Sequence, residues 1–368
     1  FPPERVPVDL CTHIFYAFAA INAATWEARM TDQWADEGMH GFEKFNDLKK
    51  QKPGMKTLLS FGGWTESLSG VYAIMASDPN RRATFIRSAW QMANRWGFDG
   101  IDMDWEYPDT ANRANFVSLI KELKVAGGGK LVTAAVSAGI DKIDAGYDVA
   151  GFKDHIDFVT VMTYDFHGTW ENTVGHHSGL PDTEKALAHW NSKGMPKEKI
   201  LMGIGAYGRG WVADSCQPGT PAKGPSPAQT FTKDNGIASF FELMKLPGCV
   251  VNTFDGPFWE TSINGNTVCF GFDDRESILK KMELVRSQGY AGAFTWTIDF
   301  DDSQFTVHRA IKDGLDGTST DPVVPTPPSP LSPSSPSSRL PSIPITHPPS
   351  SSCSTGESFL LFYFNSLI

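Results

Sequence analysis

Four acidic residues lie within eight positions of a short apolar segment. The segment FDGIDMDWEYP, at residues 98–108, contains the carboxylates Asp99, Asp102, Asp104 and Glu106. Successive side chains of a β-strand point to opposite faces. A strand here therefore presents the last three carboxylates on one face. Its other face carries Ile101, Met103 and Trp105.

This spacing predicts that at least one carboxyl group keeps its proton near neutral pH. Residues two apart on a strand lie roughly 6.5 Å apart. Two full charges at that distance repel by about 2.5 kcal/mol at an effective dielectric of about 20, which is about 2 pKa units. A carboxyl group that retains its proton can act as a general acid. Glu106 ends the run, just before Tyr107-Pro108 breaks the strand.

Two other interpretations of the acidic strand fit the sequence poorly. A solvated edge strand would not need apolar residues on its opposite face. A calcium site favours loops with Gly and Asn over β-forming residues. We therefore expect an inward-facing acidic strand.

Short β-rich apolar runs alternate with helical patterns along most of the chain. Strands are predicted at residues 12–21, 56–63, 98–106, 130–136, 157–165, 200–208 and 292–300. Helical spacing is clearest at residues 78–97, 115–124 and 276–289, the last ending at Gly289. Strands joined by helical crossovers predict an α/β fold with a parallel sheet, and seven strands approach the eight of a (β/α)8 TIM barrel. Glu106 would then lie at the carboxyl-terminal rim, where barrel enzymes bind substrate.

Composition divides the chain into three parts. Residues 1–317 are predicted to form the barrel, with a small α+β lobe inserted at residues 211–274, before the last strand. Residues 318–352 are predicted to be a Pro/Ser/Thr-rich linker, because residues 322–350 hold 11 of the 25 prolines. Residues 353–368 form an unassigned tail, too short to fold alone.

Charge and apolar content limit the possible partners. A net charge of −10 and a pI near 5.4 argue against nucleic acid or an anionic membrane as partner. The longest terminal apolar run, SFLLFYFNSLI, is too short to cross a bilayer. The chain begins at Phe1 with no visible signal peptide, so we expect a mature form or a fragment. Five cysteines without metal-type spacing fit either one or two disulfides in a secreted protein, or none.

Several motifs, in the same order, resemble those of the chitinases of glycoside hydrolase family 18. The acidic segment matches the DxxDxDxE signature in full. The other matches are Ser60-Phe61-Gly62-Gly63 with the SxGG motif, Met162-Thr163-Tyr164-Asp165 with the sixth-strand motif, and Trp296 with the eighth-strand tryptophan. The resemblance covers about residues 5–315 and is strongest to the animal, chitotriosidase-like group.

The resemblance implies endo-acting, retaining, substrate-assisted hydrolysis of chitin, the β-1,4-linked polymer of N-acetylglucosamine. Glu106 would protonate the leaving oxygen, and the substrate's own 2-acetamido oxygen would attack the anomeric carbon. Asp104, sharing a proton with Asp102, would hydrogen-bond the acetamido N–H. Tyr164 would donate to the acetamido oxygen and hold it in line. No cofactor is implied.

The resemblance also implies which residues bind the sugar chain. Trp296 would lie under the reacting sugar, and Trp64 and Trp170 would be stacking platforms. The full substrate-binding set is Trp296, Trp64, Tyr107, Met162, Asp165, Phe18, Tyr207, Arg209, Trp170 and Gly63. The expected partners are chitin and chitooligosaccharides, bound by a secreted monomer.

Two features of the sequence depart from simple expectations. His167, His176 and His177 could suggest a metal cluster, but the sixth-strand motif places them in the following loop, and no metal is predicted. Only ten residues precede Cys11, and none resembles the first barrel strand, which in the family also brings a cysteine partner for Cys11. A barrel short of one strand would expose two sheet edges. The sequence therefore predicts an incomplete barrel.

Three functions share this catalytic motif. The leading hypothesis is a chitinase. The second is a catalytically impaired chitin-binding lectin, whose relatives usually lack the terminal acid that Glu106 supplies here. The third is an endoglycosidase acting on N-glycan cores, which would differ in the shape of the cleft.

Overall fold

The computed structural model describes residues 1–318 and the backbone of residues 359–365. The strands in this part of the chain are β1 (His13–Ile21), β2 (Ala28–Met30), β3 (Lys56–Gly62), β4 (Gly100–Asp104), β5 (Leu131–Ser137), β6 (Phe158–Met162), β7 (Ile200–Gly205), β8 (Tyr207–Ala213), β9 (Ala222–Pro225), β10 (Ile237–Ser239), β11 (Gly248–Asn252), β12 (Pro257–Ile263), β13 (Asn266–Gly271), β14 (Gly292–Trp296) and β15 (Phe359–Asn365). The helices are α1 (Gly41–Asp47), α2 (Trp64–Leu68), α3 (Val71–Ser77), α4 (Pro79–Trp96), α5 (Arg113–Ala126), α6 (Ile140–Gly146), α7 (Val149–Phe152), α8 (Leu180–Ser192), α9 (Phe240–Leu243), α10 (Arg275–Gln288) and α11 (Thr306–Asp316).

The main sheet is a ring of parallel strands. Its order is β15-β14-β7-β6-β5-β4-β3-β1-β2, and β15 also pairs with β1. All of these pairings are parallel except the short β1–β2 hairpin. Each of the eight parallel strands therefore has a neighbour on both sides, which is the arrangement of a TIM barrel.

The expectation of two exposed sheet edges was wrong, and β15 is the reason. Residues before β1 form two 3₁₀ turns, Pro3–Arg5 and Val8–Leu10, and no strand. The position between β14 and β1 is instead occupied by Phe359–Asn365, from the segment that the sequence left unassigned. The predicted linker lies, from residue 319 onward, outside the described residues.

Alternation along the strands separates the two faces of the sheet. On β4, Ile101 and Met103 pack with the outer helices, whereas Asp102 and Asp104 point to the barrel interior. The interior side of the other strands is lined by a second apolar cluster that includes Phe15, Leu58 and Phe294. The sequence prediction of one acidic and one apolar face is confirmed, because the apolar face packs against the helices while Asp102 accepts hydrogen bonds inside the barrel.

Two of the predicted helices begin or end at capping residues that the sequence marks. Asp78 accepts hydrogen bonds from the backbone N–H groups of Asn80 (2.8 Å) and Arg81 (3.1 Å), and α4 starts at Pro79. Gly289 ends α10 with a φ of 73°, a left-handed conformation that favours glycine. Among the described residues, no helix combines the length and the apolar character needed to span a membrane.

A second sheet follows β7 and overlaps the predicted lobe. Its order is β10-β8-β13-β12-β11, with β9 paired to β8. A disulfide between Cys216 and Cys269 joins the loop after β8 to β13. Cys11 is a buried free thiol whose pKa burial raises to about 12, and Cys249 is exposed. The strand predicted at 200–208 is thus two strands, since β7 belongs to the barrel and β8 to this second sheet.

Candidate active site

A cleft of about 850 Å³ opens at the carboxyl ends of the barrel strands. Its lining residues are Phe18, Gly63, Trp64, Asp104, Glu106, Tyr107, Ala135, Lys142, Met162, Tyr164, Asp165, Trp170, Tyr207, Arg209, Ile237 and Trp296. All of the site residues predicted from the sequence lie among them except Asp102. The fold therefore gathers residues from distant parts of the chain into one cleft.

Asp102 lies beneath the cleft and is completely buried. The hydroxyl groups of Ser60, on β3, and Thr133, on β5, each donate a hydrogen bond of 2.6 Å to one of its carboxylate oxygens. These two strands flank β4, so the neighbouring strands hold the carboxyl group from both sides. Asp102 is positioned to act on Asp104 rather than on a bound ligand.

Asp104 reaches the cleft with one oxygen unsatisfied. Its Oδ1 is buried and makes no hydrogen bond with the described residues. Burial, followed by the charges of Glu106 and Asp102, holds the pKa of Asp104 well above its ordinary value. Gly62, at φ 135°, permits this packing, because a Cβ there would lie 1.9 Å from the carbonyl oxygen of Asp104. A buried, protonated carboxyl group with an unsatisfied oxygen is suited to accept a hydrogen bond from a polar group of a ligand.

Glu106 lies two residues beyond the end of β4 and faces the cleft. The strand ends at Asp104, earlier than the sequence predicted. The backbone N–H of Glu106 donates a hydrogen bond of 2.9 Å to the Ser67 hydroxyl group, which helps to hold Glu106 in position. Burial raises the pKa of Glu106 to about 7; a hydrogen bond from Tyr107 opposes this rise, and the charge of Asp165 adds to it. Near neutral pH a substantial fraction of Glu106 therefore carries a proton, as a general acid requires.

Tyr164 lies two residues beyond the end of β6, where its hydroxyl group can remain a hydrogen-bond donor. Burial holds its pKa well above the ordinary value. Its ring packs edge-on against Phe294 and Tyr207, with centroids 6.1 and 6.0 Å away. Gly203 leaves space for this ring, since a Cβ there would lie 2.9 Å from Tyr164 Cε1. The phenol is thus fixed in one position and stays protonated.

Asp165 forms a hydrogen-bonded group with two residues of β8. It accepts hydrogen bonds from the Tyr207 hydroxyl (2.8 Å) and from Arg209 Nε and Nη2 (2.8 and 2.7 Å). Burial alone would raise the pKa of Asp165, but interactions with His177 and Arg209 hold it well below its ordinary value. Asp165 is therefore the ionised carboxylate of the cleft, in contrast to Asp104 and Glu106.

Aromatic rings form the floor and the rims of the cleft. Phe18 and Trp296 stack with centroids 5.5 Å apart and planes at 21°. Trp64 and Trp170 expose 57% and 61% of their surface, and Arg209 lies over the Trp170 ring at 5.3 Å. Flat exposed indoles of this kind are suited to stacking on apolar faces of ligands.

Comparison with known proteins agrees with this geometry. The model of the Glycosyl hydrolases family 18 matches residues 2–301. The chain belongs to this family. It is 40% identical over 337 residues to a probable endochitinase of Caenorhabditis elegans, an alignment that covers 82% of this chain. The chain spans 53% of the length of that relative.

Solved structures of family 18 proteins are similar throughout the barrel. An Ostrinia furnacalis Group IV chitinase in complex with allosamidin is 32% identical, with a TM-score of 0.81, over 87% of this chain and 95% of that one. Human YKL-39, a pseudo-chitinase with retained chitooligosaccharide binding, is also 32% identical, with a TM-score of 0.78, over 86% and 94%. The same family scaffold thus occurs in a chitinase and in a pseudo-chitinase.

The three histidines in the loop after β6 make contacts within the family 18 fold. His176 Nε2 lies 3.0 Å from the carbonyl oxygens of Pro257 and Phe272, and burial lowers its pKa to about 3. His177 Nε2 lies 3.0 Å from the Tyr207 carbonyl oxygen, and His167 Nδ1 lies 2.8 Å from Glu171. In the part of the chain that the structure describes, no group of three or more His, Cys, Asp or Glu side chains could hold a metal ion.

Sequence reasoning missed three residues that line the family 18 cleft. Ala135 occupies an interior position of β5, Lys142 lies on α6, and Ile237 enters from β10 of the second sheet. The alternation of β5 could have identified Ala135. Nothing local marks the other two, because they meet the cleft only through the packing of α6 and of the second sheet.

Proposed function

We propose that this chain hydrolyses internal β-1,4 bonds of chitin with retention of configuration. The observation that carries the proposal is the pairing of two proton-holding carboxyl groups, Asp104 and Glu106, at the mouth of an aromatic cleft. A raised pKa near 7 suits an acid that gives up its proton and takes it back in each turnover.

Glu106 is the general acid in this proposal. It protonates the glycosidic oxygen as the bond to the anomeric carbon breaks. The substrate's 2-acetamido oxygen attacks that carbon from the opposite face and forms an oxazolinium ion. The Glu106 carboxylate then accepts a proton from the water that opens this ion, which restores the acid and leaves the configuration retained.

Asp104 and Tyr164 hold the acetamido group. The unsatisfied Oδ1 of Asp104 accepts a hydrogen bond from the acetamido N–H, which supplies the partner that this buried oxygen lacks among the described residues. Asp102 shares a proton with Asp104. The Tyr164 hydroxyl donates to the acetamido oxygen, and its packed ring keeps that oxygen in line.

The positions of the exposed tryptophans support attack on internal bonds. Trp64 follows β3 and Trp170 follows β6, on opposite sides of the strand that leads to Glu106. Sugars can therefore stack on both sides of the bond that is cleaved. Trp296 forms the floor between them, with Phe18, Tyr107 and Met162 as walls. Tyr207, Arg209 and Asp165 hydrogen-bond sugar hydroxyl groups.

Secretion is also part of the proposal. The Cys216–Cys269 disulfide supports it, because disulfides persist in oxidising compartments. Expression of a tagged full-length protein in cells of its source, followed by detection in medium and cell fractions, tests this point.

The test of function compares the wild type with Glu106→Gln and with Glu276→Gln, a matched change at an exposed residue of α10. Hexa-N-acetylchitohexaose is the substrate, and the products are resolved by anomer-sensitive chromatography. We expect Glu106→Gln to lower kcat on the order of 10³-fold while leaving Kd within a few-fold, and Glu276→Gln to behave as wild type. Initial products of the β anomer, from cleavage at internal bonds, are expected.

Each other outcome contradicts the proposal in a distinct way. Binding without turnover in the wild type indicates a catalytically impaired lectin; human YKL-39 is a pseudo-chitinase that retains chitooligosaccharide binding. Turnover of an N-glycan core but not of the hexasaccharide indicates an endoglycosidase. Equal turnover in the wild type and Glu106→Gln removes Glu106 from the role of acid.

A further inference from the structure

The two stacked rings on the cleft floor belong to strands that are not sheet neighbours. Phe18 follows the part of β1 that pairs with β15, and Trp296 ends β14. Among the described residues, β15 is the strand that lies between them, paired with both. The distance between the two rings therefore depends on a third strand, which comes from a remote part of the chain.

The register brings β15 up to both rings. His13–Ala17 of β1 pair with residues 361–365, so that Ala17 lies beside Asn365. Gly292–Thr295 of β14 pair with residues 359–362, so that Thr295 lies beside Phe362. The last paired residue of each strand, Ala17 and Thr295, immediately precedes its ring. β15 thus sets the separation of the two backbones one residue before Phe18 and before Trp296.

Removal of β15 would expose both strands that it pairs with. Their backbone N–H and C=O groups would lose their partners on that side, and such edges are unstable in barrels. Phe15 and Phe294, which face the interior and are now completely buried, would border the opening. Phe294 packs against Tyr164, so the disturbance would reach the residue that orients the acetamido group.

The chain is long enough to deliver this strand. A parallel neighbour needs a crossover of roughly a dozen residues or more. Here α11 ends at Asp316 and β15 begins at Phe359. The intervening sequence is rich in proline and serine, which separates β15 from the rest of the barrel along the chain.

We propose that Phe359–Asn365 is a detachable positioning element of the active site, and that catalysis requires it to be seated between β14 and β1. The inference rests on the proposed chitin hydrolysis for its activity readout. It assigns the region after the proline-rich segment a role in the catalytic barrel rather than in a separate module. Release of the strand after cleavage within residues 319–358 would then switch the enzyme off.

Hydrogen exchange on the full chain tests the seating of the strand. We expect the amides of residues 359–365 to be protected to within about tenfold of those of His13–Ala17. Leu361→Pro removes a backbone donor in β15, and Leu331→Pro makes the same change in the intervening sequence. Leu361→Pro should abolish this protection and lower both kcat/KM and the affinity for chitohexaose at least tenfold; Leu331→Pro should change neither. Exchange of residues 359–365 as fast as a free peptide overturns the proposal.

A second experiment starts from folded protein, in case Leu361→Pro fails to fold. A protease site is inserted after Leu331 and cleaved in the native state. The tail should co-elute with the barrel after cleavage. Mild urea, at a concentration that leaves uncut protein active, should then release the tail and abolish turnover. Release of the tail with no loss of turnover overturns the proposal. Amide protection and chitohexaose binding need no hydrolysis, so a failure of the proposed function would be seen separately.

Discussion

The guanidinium group of Arg209 donates two hydrogen bonds to the carboxylate of Asp165, at 2.8 and 2.7 Å. The same guanidinium lies 5.3 Å from the ring centre of Trp170. One side chain thus connects a half-buried ionised acid of the cleft with an exposed platform at its rim. This double contact needs the planar, two-pronged geometry of arginine.

Arg209→Lys should therefore weaken substrate binding more than chemistry. Lysine keeps the charge but loses both the paired hydrogen bonds and the flat contact with Trp170. We expect KM for chitohexaose to rise about tenfold, with kcat within about threefold of wild type. The control is Arg81→Lys, because Arg81 lies over Trp26 at 4.5 Å in a pair outside the cleft lining. A fall in kcat with unchanged KM would contradict this role.

The pH dependence of activity should respond to Tyr107. Its hydrogen bond favours the ionised form of Glu106, whose pKa is nevertheless raised by burial to about 7. Tyr107→Phe removes that bond, so the pKa of Glu106 should rise further, and the alkaline limb of kcat/KM should move up by about 0.5–1 pH unit. Tyr290→Phe, a tyrosine outside the cleft lining, serves as control. A shift to lower pH would show that the bond does not act on Glu106.

Stability should increase when Glu106 loses its charge. Because folding raises the pKa of Glu106 from 4.5 to about 7, the native state holds its proton more tightly than the unfolded state does. This contribution is fully present below pH 4.5 and is lost as the pH rises through about 7. At pH 8 we expect Glu106→Gln to raise the free energy of unfolding by about 3 kcal/mol. The difference should vanish at pH 4, as measured by urea denaturation, with Glu276→Gln unchanged at both.

The contribution of Asp102 to stability and to kcat should depend on the two hydroxyl groups that donate hydrogen bonds to it. Ser60→Ala removes one of the two hydrogen bonds of 2.6 Å to this buried carboxyl group. We expect a loss of about 1–3 kcal/mol in the free energy of unfolding and a fall of roughly tenfold in kcat, because Asp102 would no longer be held against Asp104. Ser69→Ala, at an exposed serine that donates to the Glu66 carbonyl oxygen, should change stability by less than about 0.5 kcal/mol. Full activity in Ser60→Ala would contradict the role of Asp102.

The Cys216–Cys269 disulfide should stabilise the wall of the cleft that the second sheet provides. It joins residues separated by 53 positions, and the chain-entropy model gives about 4 kcal/mol for a loop of that length. The double change Cys216→Ala and Cys269→Ala should lower the melting temperature and raise KM, since β8 of this sheet carries Tyr207 and Arg209. Cys249→Ala should do neither. An unchanged KM would show that the sheet holds its shape without the bond.

Local sequence patterns were sufficient to predict strand faces and helix ends in much of the barrel. The alternation of Ile101, Asp102, Met103 and Asp104 decides which side chains face inward, because the period of a strand is a property of the backbone. Asp78 and Gly289 mark helix ends for an equally local reason, since each satisfies or terminates the adjacent turn. These signals act over a few residues and need no knowledge of distant partners.

The sequence by itself thus determined the acidic inner strand, the alternation of the other main barrel strands with helices, and the residues that could perform acid catalysis. Tertiary structure alone decided which of them hold protons, because burial in the fold raises the pKa of both Asp104 and Glu106, and the nearby charge of Glu106 raises that of Asp104 further. It also decided the placement of β15. An apolar run of strand length does not indicate which two strands it will pair with. The free energy that selects the position of β15 comes from pairing with the exposed strand edges of β1 and β14.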